Sequence, residues 1–208
     1  METATCLRVL RRPSWLPRRD CPSSVTVEIA PAAGLVFDTS PLQALHRAGA
    51  LPNLRAAVER VLIPQAVRNE TVASLPLSPP GRVPNLDEFP WIGVEHVGAD
   101  DIASAGAVLA GSRRAVEVYR WFNRTIDRPE VEALVLARRV SGRAVMEDRN
   151  GVKCALDFGV PAIGVADLLV ELERAGHLVD AQASAKTILE TGYYSRQLWW
   201  LSQGLRTW

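Results

Sequence analysis

The run Gly34-Leu-Val-Phe37, followed at once by Asp38-Thr-Ser-Pro41, restricts the possible folds more than any other feature of the chain. Four consecutive small or apolar residues predict a short central strand buried on both faces, as in a parallel sheet. Ser40 and Pro41 then read as a helix start, the hydroxyl as N-cap and the proline at the first helical position. Asp38 is thereby placed at the carboxyl end of a buried strand, where open α/β sheets form their ligand crevice. A carboxylate there needs a partner or a role, because burying an unpaired charge is costly.

The rest of the chain repeats the strand-then-helix pattern. Asn53 caps a predicted helix to about residue 60, Val61-Leu-Ile63 reads as a strand, and Pro64 opens a helix carrying Glu70. The Pro-rich stretch 75–87 is a predicted loop or lid. Residues 91–97 have strand composition, and 99–124 read as one or two helices. Pro129 predicts a helix start beside Asp127 or Arg128; Glu130 and Glu132 fall in its opening turn, and Ala133, Leu136, Ala137 and Val140 make an apolar stripe up to Gly142. Residues 143–148 predict a second strand ending in an acid, 160–163 a further strand, and 165–175 an amphipathic helix. The tail divides into two helices at Thr191-Gly192. Residues 25–29 are a candidate edge strand. Alternation of this kind implies a parallel sheet flanked by helices.

Asp38, Glu70, Glu132 and Asp148 all lie at element ends. Brought together, four carboxylates either hold protons or take up a hard cation, and an all-oxygen set suits Mg²⁺ or Mn²⁺. Such a cation can activate water and steady a leaving oxygen at a phosphodiester. Spacing also allows a plainer reading, with Glu70 and Glu132 serving as helix caps or surface charges.

The segments Gly34–Leu42, Arg60–Glu70, Asp87–Ile92, Pro129–Ala137, Met146–Arg149 and Phe158–Gly164 resemble, in this order, the motifs of PIN-domain proteins, particularly a VapC-like prokaryotic branch. The resemblance covers roughly residues 34–195. It implies a PIN-like three-layer α/β fold and carries Asp38, Glu70, Glu132 and Asp148 onto the family's metal-binding acids. Thr39 or Ser40 matches the hydroxyl position beside the first acid. It also implies an endoribonuclease requiring Mg²⁺ or Mn²⁺, with 5′-phosphate and 3′-hydroxyl products, and points to the toxin of a toxin–antitoxin pair. An RNA substrate, a protein antitoxin and a homodimer are the partners it implies. Two departures stand out. Pro129-Glu130 occupies the usual Gly-Glu position, so Glu130 and Glu132 compete for the third acid, with Glu132 preferred. Glu147-Asp148 replaces two aspartates, with Glu147 expected on the opposite side of the strand from Asp148. Arg149 is a candidate phosphate contact or a surface ion-pair partner.

Composition narrows the field further. The formal charge of +1, with Lys153 and Lys186 the only lysines, excludes a surface basic all round, so any nucleic-acid footprint is local. Cys6, Cys21 and Cys154 form no zinc-ligand spacing and suit a reducing cytoplasm; a Cys6–Cys21 bridge is the alternative. No run is long enough for a secretory signal or a membrane span. Residues 1–24 read as an Arg/Pro-rich extension unable to order itself, an upstream start, or an RNA-contacting arm; 25–208 read as one domain. Ser40 lacks a nucleophile elbow, and no Gly-rich phosphate loop is present. The rival function is an interaction module on the same fold with little or no nuclease activity. Crowding of Tyr193, Tyr194, Trp199 and Trp200 in the tail suggests a protein contact there.

Overall fold

A computed structural model describes residues 34–110 and 127–205. The candidate strand at 25–29, the extension 1–24 with Cys6 and Cys21, and the stretch 111–124 lie outside the described residues. Strand β1, Leu35–Phe37, runs parallel to β2, Val61–Pro64, on one side and to β4, Arg143–Val145, on the other. Strand β3, Ile92–Glu95, lies beyond β2, and β5, Ala162–Ile163, beyond β4. The resulting order, β3-β2-β1-β4-β5, is parallel throughout.

Alternation along each strand divides the core between the two faces. Leu35, Phe37, Val61, Ile63 and Val145 face one layer. Its helices are α1 (Thr39–Arg47), α7 (Val165–Arg174), α8 (Ala181–Glu190) and α9 (Arg196–Ser202). Val36, Leu62, Ala144 and Met146 face the other, built on α5 (Arg128–Arg139) and α6 (Arg149–Phe158). The short α2 (Leu54–Ala57) leads into β2, α3 (Gln65–Ser74) follows it, and α4 (Ala99–Ala110) follows β3. This is the three-layer α/β arrangement that the alternation of elements predicts.

Local boundaries differ from expectation in three places. Asp38, not Ser40, is the N-cap of α1, which puts Pro41 at the third helical position. Proline is tolerated there because the first turn's N–H groups have no intrahelical partner. The helix expected from Asn53 to about residue 60 is a 3₁₀ turn, Leu51–Asn53, running into the one-turn α2. Gly142 does not close α5 as a left-handed cap; Ser141 takes that conformation, with φ 52°.

Gly142 serves a different need. The Arg143 N–H donates to the Gly34 carbonyl at 3.0 Å, so β1 and β4 begin in close contact. A Cβ at residue 142 would collide with that carbonyl oxygen and lie 3.1 Å from Val140 Cγ2. Gly142→Ala is therefore expected to destabilise the fold by about 3 kcal/mol, read from a chemical-denaturation midpoint. A loss below about 0.5 kcal/mol, the range of ordinary surface changes, would show that the strands part freely. Beside this junction, Arg143 makes a forked pair with Glu171 of α7 at 2.9 and 3.1 Å, which ties β4 to the first layer.

Candidate active site

The carboxyl ends of β1 and β4 lie side by side, and the acids gather there. Asp38 leaves β1 and caps α1, with only 6% of its surface exposed. Burial lifts its carboxyl from 3.8 to about 6, the charges of Glu70 and Asp127 add to the rise, and the N–H groups of Thr39 and Ser40 oppose it. Thr39 Oγ1 donates to Glu70 Oε2 at 2.7 Å, which joins the start of α1 to α3. Thr39 is buried and Ser40 exposed, so Thr39 is the hydroxyl beside the acids.

Glu130, in the first turn of α5, faces the same region. Its carboxyl rises to about 7, first through burial, then through Asp38, with Asp148 and Asp127 adding; the Asp127 backbone opposes the rise. The Asp127 N–H donates to Glu130 Oε2 at 3.1 Å. Asp148 is exposed and caps α6, accepting from the N–H groups of Asn150 at 2.6 Å and Gly151 at 2.9 Å. Gly151 leaves room for Met146 and Glu130: a Cβ there would stand 2.9 Å from Met146 Cε and 3.7 Å from Glu130 Oε1. Cys154, one turn further along α6, feels both Glu130 and Asp148, and burial is the main cause pushing its thiol up to about 11. At neutral pH it stays a thiol, which removes it as a nucleophile.

Glu132, the residue preferred from the sequence as third acid, is buried against the start of α3. Its Oε1 accepts from Arg128 Nε at 2.8 Å and its Oε2 from the Ala66 N–H at 3.2 Å. Two helical residues are about 200° apart, so Glu130 and Glu132 leave α5 in nearly opposite directions. Asp38 and Asp148 both act on Glu130, while Glu132 is held at the start of α3. Nor do the acids meet at a point. Among the described residues no three His, Cys, Asp or Glu side chains stand close enough to hold a metal ion as placed. Glu70 reaches the group through Thr39 and through its charge on Asp38.

The donor set nonetheless suits a hard cation. Asp38 and Glu130 carry raised pKa values through burial, and the charges acting most strongly on them are acidic. Carboxylates crowded in this way are relieved by a divalent ion with oxygen preference. Asp127 was legible in the sequence only as a helix start; here it is a further negative charge on both Asp38 and Glu130.

Two residues line the group from the other layer. Glu147 accepts from the Val165 N–H at 2.6 Å, at the start of α7, on the side opposite to Asp148 as strand alternation predicts. Tyr193, between α8 and α9, has its phenol pushed up by burial, with Glu147 and Asp38 adding; the Arg47 guanidinium lies 5.9 Å from its ring. Nothing in the sequence set Tyr193 apart from its aromatic neighbours. Leu198 and Leu201, three residues apart on α9, are buried, Trp199 is 47% exposed, and Arg196 lies 4.4 Å over the Trp200 ring.

Among the described residues no helix is long and apolar enough to cross a membrane. No curated protein matches the sequence. A family profile described as PIN domain matches residues 34–201, a span that takes in all five strands of the described residues and every acid named above, and the chain accordingly belongs to the PIN-domain family.

Proposed function

We propose that this chain is an endoribonuclease dependent on Mg²⁺ or Mn²⁺, with Asp38, Glu130 and Asp148 as metal-holding acids and Glu70 as a fourth. The observation that carries this reading is the pair of carboxyls held at about 6 and about 7 at the strand ends by burial and by neighbouring acids. Such a pair is unfavourable for the fold alone and useful for binding a cation. PIN domains have a nuclease-type fold, which fits the same reading. A bound divalent ion supplies an activated water and offsets charge on the phosphate.

The residues of the chain do the rest. Thr39 holds Glu70 toward Asp38 through its hydroxyl. The α6 N–H groups fix the Asp148 carboxylate by two hydrogen bonds, which lowers the reorganisation needed when a cation arrives. Arg149, exposed beside Asp148, is suited to contact a substrate phosphate. Products with 5′-phosphate and 3′-hydroxyl ends accompany this chemistry in our proposal.

The finer reading, a VapC-like toxin working in the cytoplasm as a homodimer and neutralised by a protein antitoxin, rests on the sequence motifs alone. A small neighbouring reading frame with a DNA-binding antitoxin pattern would support it. A second reading, an interaction module without turnover, draws on the absence of a preassembled three-acid cluster among the described residues.

One experiment divides the two. Purified protein is incubated with a generic single-stranded RNA and Mn²⁺, with and without EDTA, beside Glu130→Gln. Cleavage by wild type, lost in EDTA and reduced about 10³-fold in the variant, is the expected result. Cleavage that persists in EDTA, or in Glu130→Gln at the wild-type rate, rejects the site; no cleavage by wild type favours the interaction module.

A further inference from the structure

Arg47 ends α1 and has no part in the chemistry proposed above. Its Nε donates to the Arg82 carbonyl at 3.0 Å and its Nη2 to Gln43 Oε1 at 3.3 Å, so the end of α1 holds the Pro-rich loop. A guanidinium has five N–H donors, and both of these bonds go to neutral acceptors. Among the described residues neither Arg47 nor Arg82 forms an ion pair.

Such a pair does little for the fold. Arg47 is half-buried; burial lowers its pKa, the charge of Arg82 lowers it further, and the Tyr193 phenol opposes. Latching the loop requires one donor and no second charge, because it is the Arg82 backbone that accepts, and Arg82 itself is exposed. Two like charges drawn together without a carboxylate repel. A phosphate relieves them, and the planar fork of arginine is shaped to grip its oxygens.

The place of the pair suits a strand rather than an isolated anion. Helix α1 starts from Asp38 and ends at Arg47, about 13 Å at 1.5 Å per residue. Tyr193 links the two ends: its ring lies 5.9 Å from the Arg47 guanidinium, and the charges of Glu147 and Asp38 act on its phenol. Beside Arg47, His46 stands edge-on to Phe89 at 5.9 Å and Phe89 to Trp91 at 6.1 Å, all three half-buried. The acid acting on this group is Glu88, at His46. Basic groups next to aromatic rings are what single-stranded nucleic acid binds, its phosphates on the first and its bases against the second.

We propose that Arg47 and Arg82 form a phosphate-binding subsite for an RNA strand, one helix length from the acids, with Tyr193 lining the path between. That the strand is a substrate rests on the nuclease reading given above; its binding by the pair does not.

The test follows a labelled single-stranded RNA by fluorescence anisotropy in EDTA, over a range of salt. Arg82→Gln, Arg82→Glu and Arg47→Gln are compared with wild type and with Arg138→Gln, which removes the same charge from α5 in the opposite layer. Arg82→Gln and Arg47→Gln are each expected to weaken binding about fivefold and to lower the slope of log Kd against log salt by about 0.7. Arg82→Glu should cost about twentyfold, and Arg138→Gln less than about twofold. With Mn²⁺ present, KM for RNA should rise in step while kcat stays within about twofold. Arg82 is exposed and meets Arg47 through its backbone, so its variants keep the fold and decide the matter if Arg47→Gln loosens the loop.

Wild-type affinity and salt slope in both Arg82 variants overturn the proposal, as does a wild type that binds no RNA. An equal loss in Arg138→Gln reduces the effect to net charge and rejects a subsite. Polyglutamate replaces RNA in a parallel titration: if Arg82→Glu loses that peptide and keeps RNA, the pair is a docking site for an acidic protein and the proposal falls. RNA that is bound through Arg82 yet never cut with Mn²⁺ removes the nuclease reading and leaves the subsite standing.

Discussion

Asp38→Asn is expected to lower RNA cleavage about 10³-fold while raising the melting temperature of the metal-free protein. The two effects share one cause. Asp38 is 6% exposed, and its carboxyl is pushed up to about 6 by burial, with Glu70 and Asp127 adding. At pH 8 the folded chain must hold this group ionised against its surroundings. A shift of about two units corresponds to roughly 3 kcal/mol at most, and asparagine removes the charge while keeping an oxygen for the nearby N–H groups. For a chain of this size each kcal/mol moves the melting temperature by about 2–4 °C, so a rise of up to about 6–12 °C is expected in EDTA at pH 8. At pH 5 the folded chain protonates Asp38 while the unfolded chain, near 3.8, still ionises it, so the difference should shrink to about half. A variant less stable than wild type at pH 8 would show that Asp38 supports the fold, contrary to its place in a metal site.

The second large effect is the pH dependence of the metal-free wild type. Asp38 rises from 3.8 to about 6, and Glu130 from 4.5 to about 7. A carboxyl whose pKa is higher in the folded chain than in the unfolded one binds its proton more tightly when folded. The stability this confers is complete below the unfolded value and is lost as pH climbs through the folded value. The window is therefore about pH 4 to 7, with stability falling as pH rises. Glu130 is partly exposed, so solvent screening reduces its share. Thermal melts in EDTA at pH 5 and pH 8 should differ by several degrees, with the higher value at pH 5. Excess Mn²⁺ at pH 8 should recover the difference by mass action on the folded state. Equal melting temperatures at the two pH values, with or without Mn²⁺, would remove the electrostatic argument for the site.

How far the sequence reaches differs from one acid to the next. Asp38 was legible because a run of small and apolar residues must be a buried strand, and an acid at its end has few other uses. Glu147 and Asp148 were separable for a similar reason, since strand alternation sends neighbours to opposite sides. The choice between Glu130 and Glu132 was not legible. Helical phase is normally read from the contrast between apolar and polar faces, but every residue from Val131 to Ala137 is buried, so α5 has no such contrast over that stretch. The cap of α1 was misjudged by two residues because Ser40-Pro41 matches a common helix start, whereas Asp38 itself takes that place. Asp127 and Tyr193 depend on distances between elements remote in sequence, which no local pattern encodes.

The pairing of β1 with β4 matters during synthesis as well as in the finished fold. Leu35 stands opposite Arg143, and Val36 opposite Ala144, so the central strand finds its second neighbour only after more than a hundred further residues have been made. Contacts of such long sequence separation form slowly. While a nascent chain still ends before β4, it holds Asp38 and Glu70 but neither the second strand beside β1 nor Asp148. The acidic group is thus incomplete on the ribosome until the second half of the domain has emerged. A chain of this topology completes its acidic group late in synthesis.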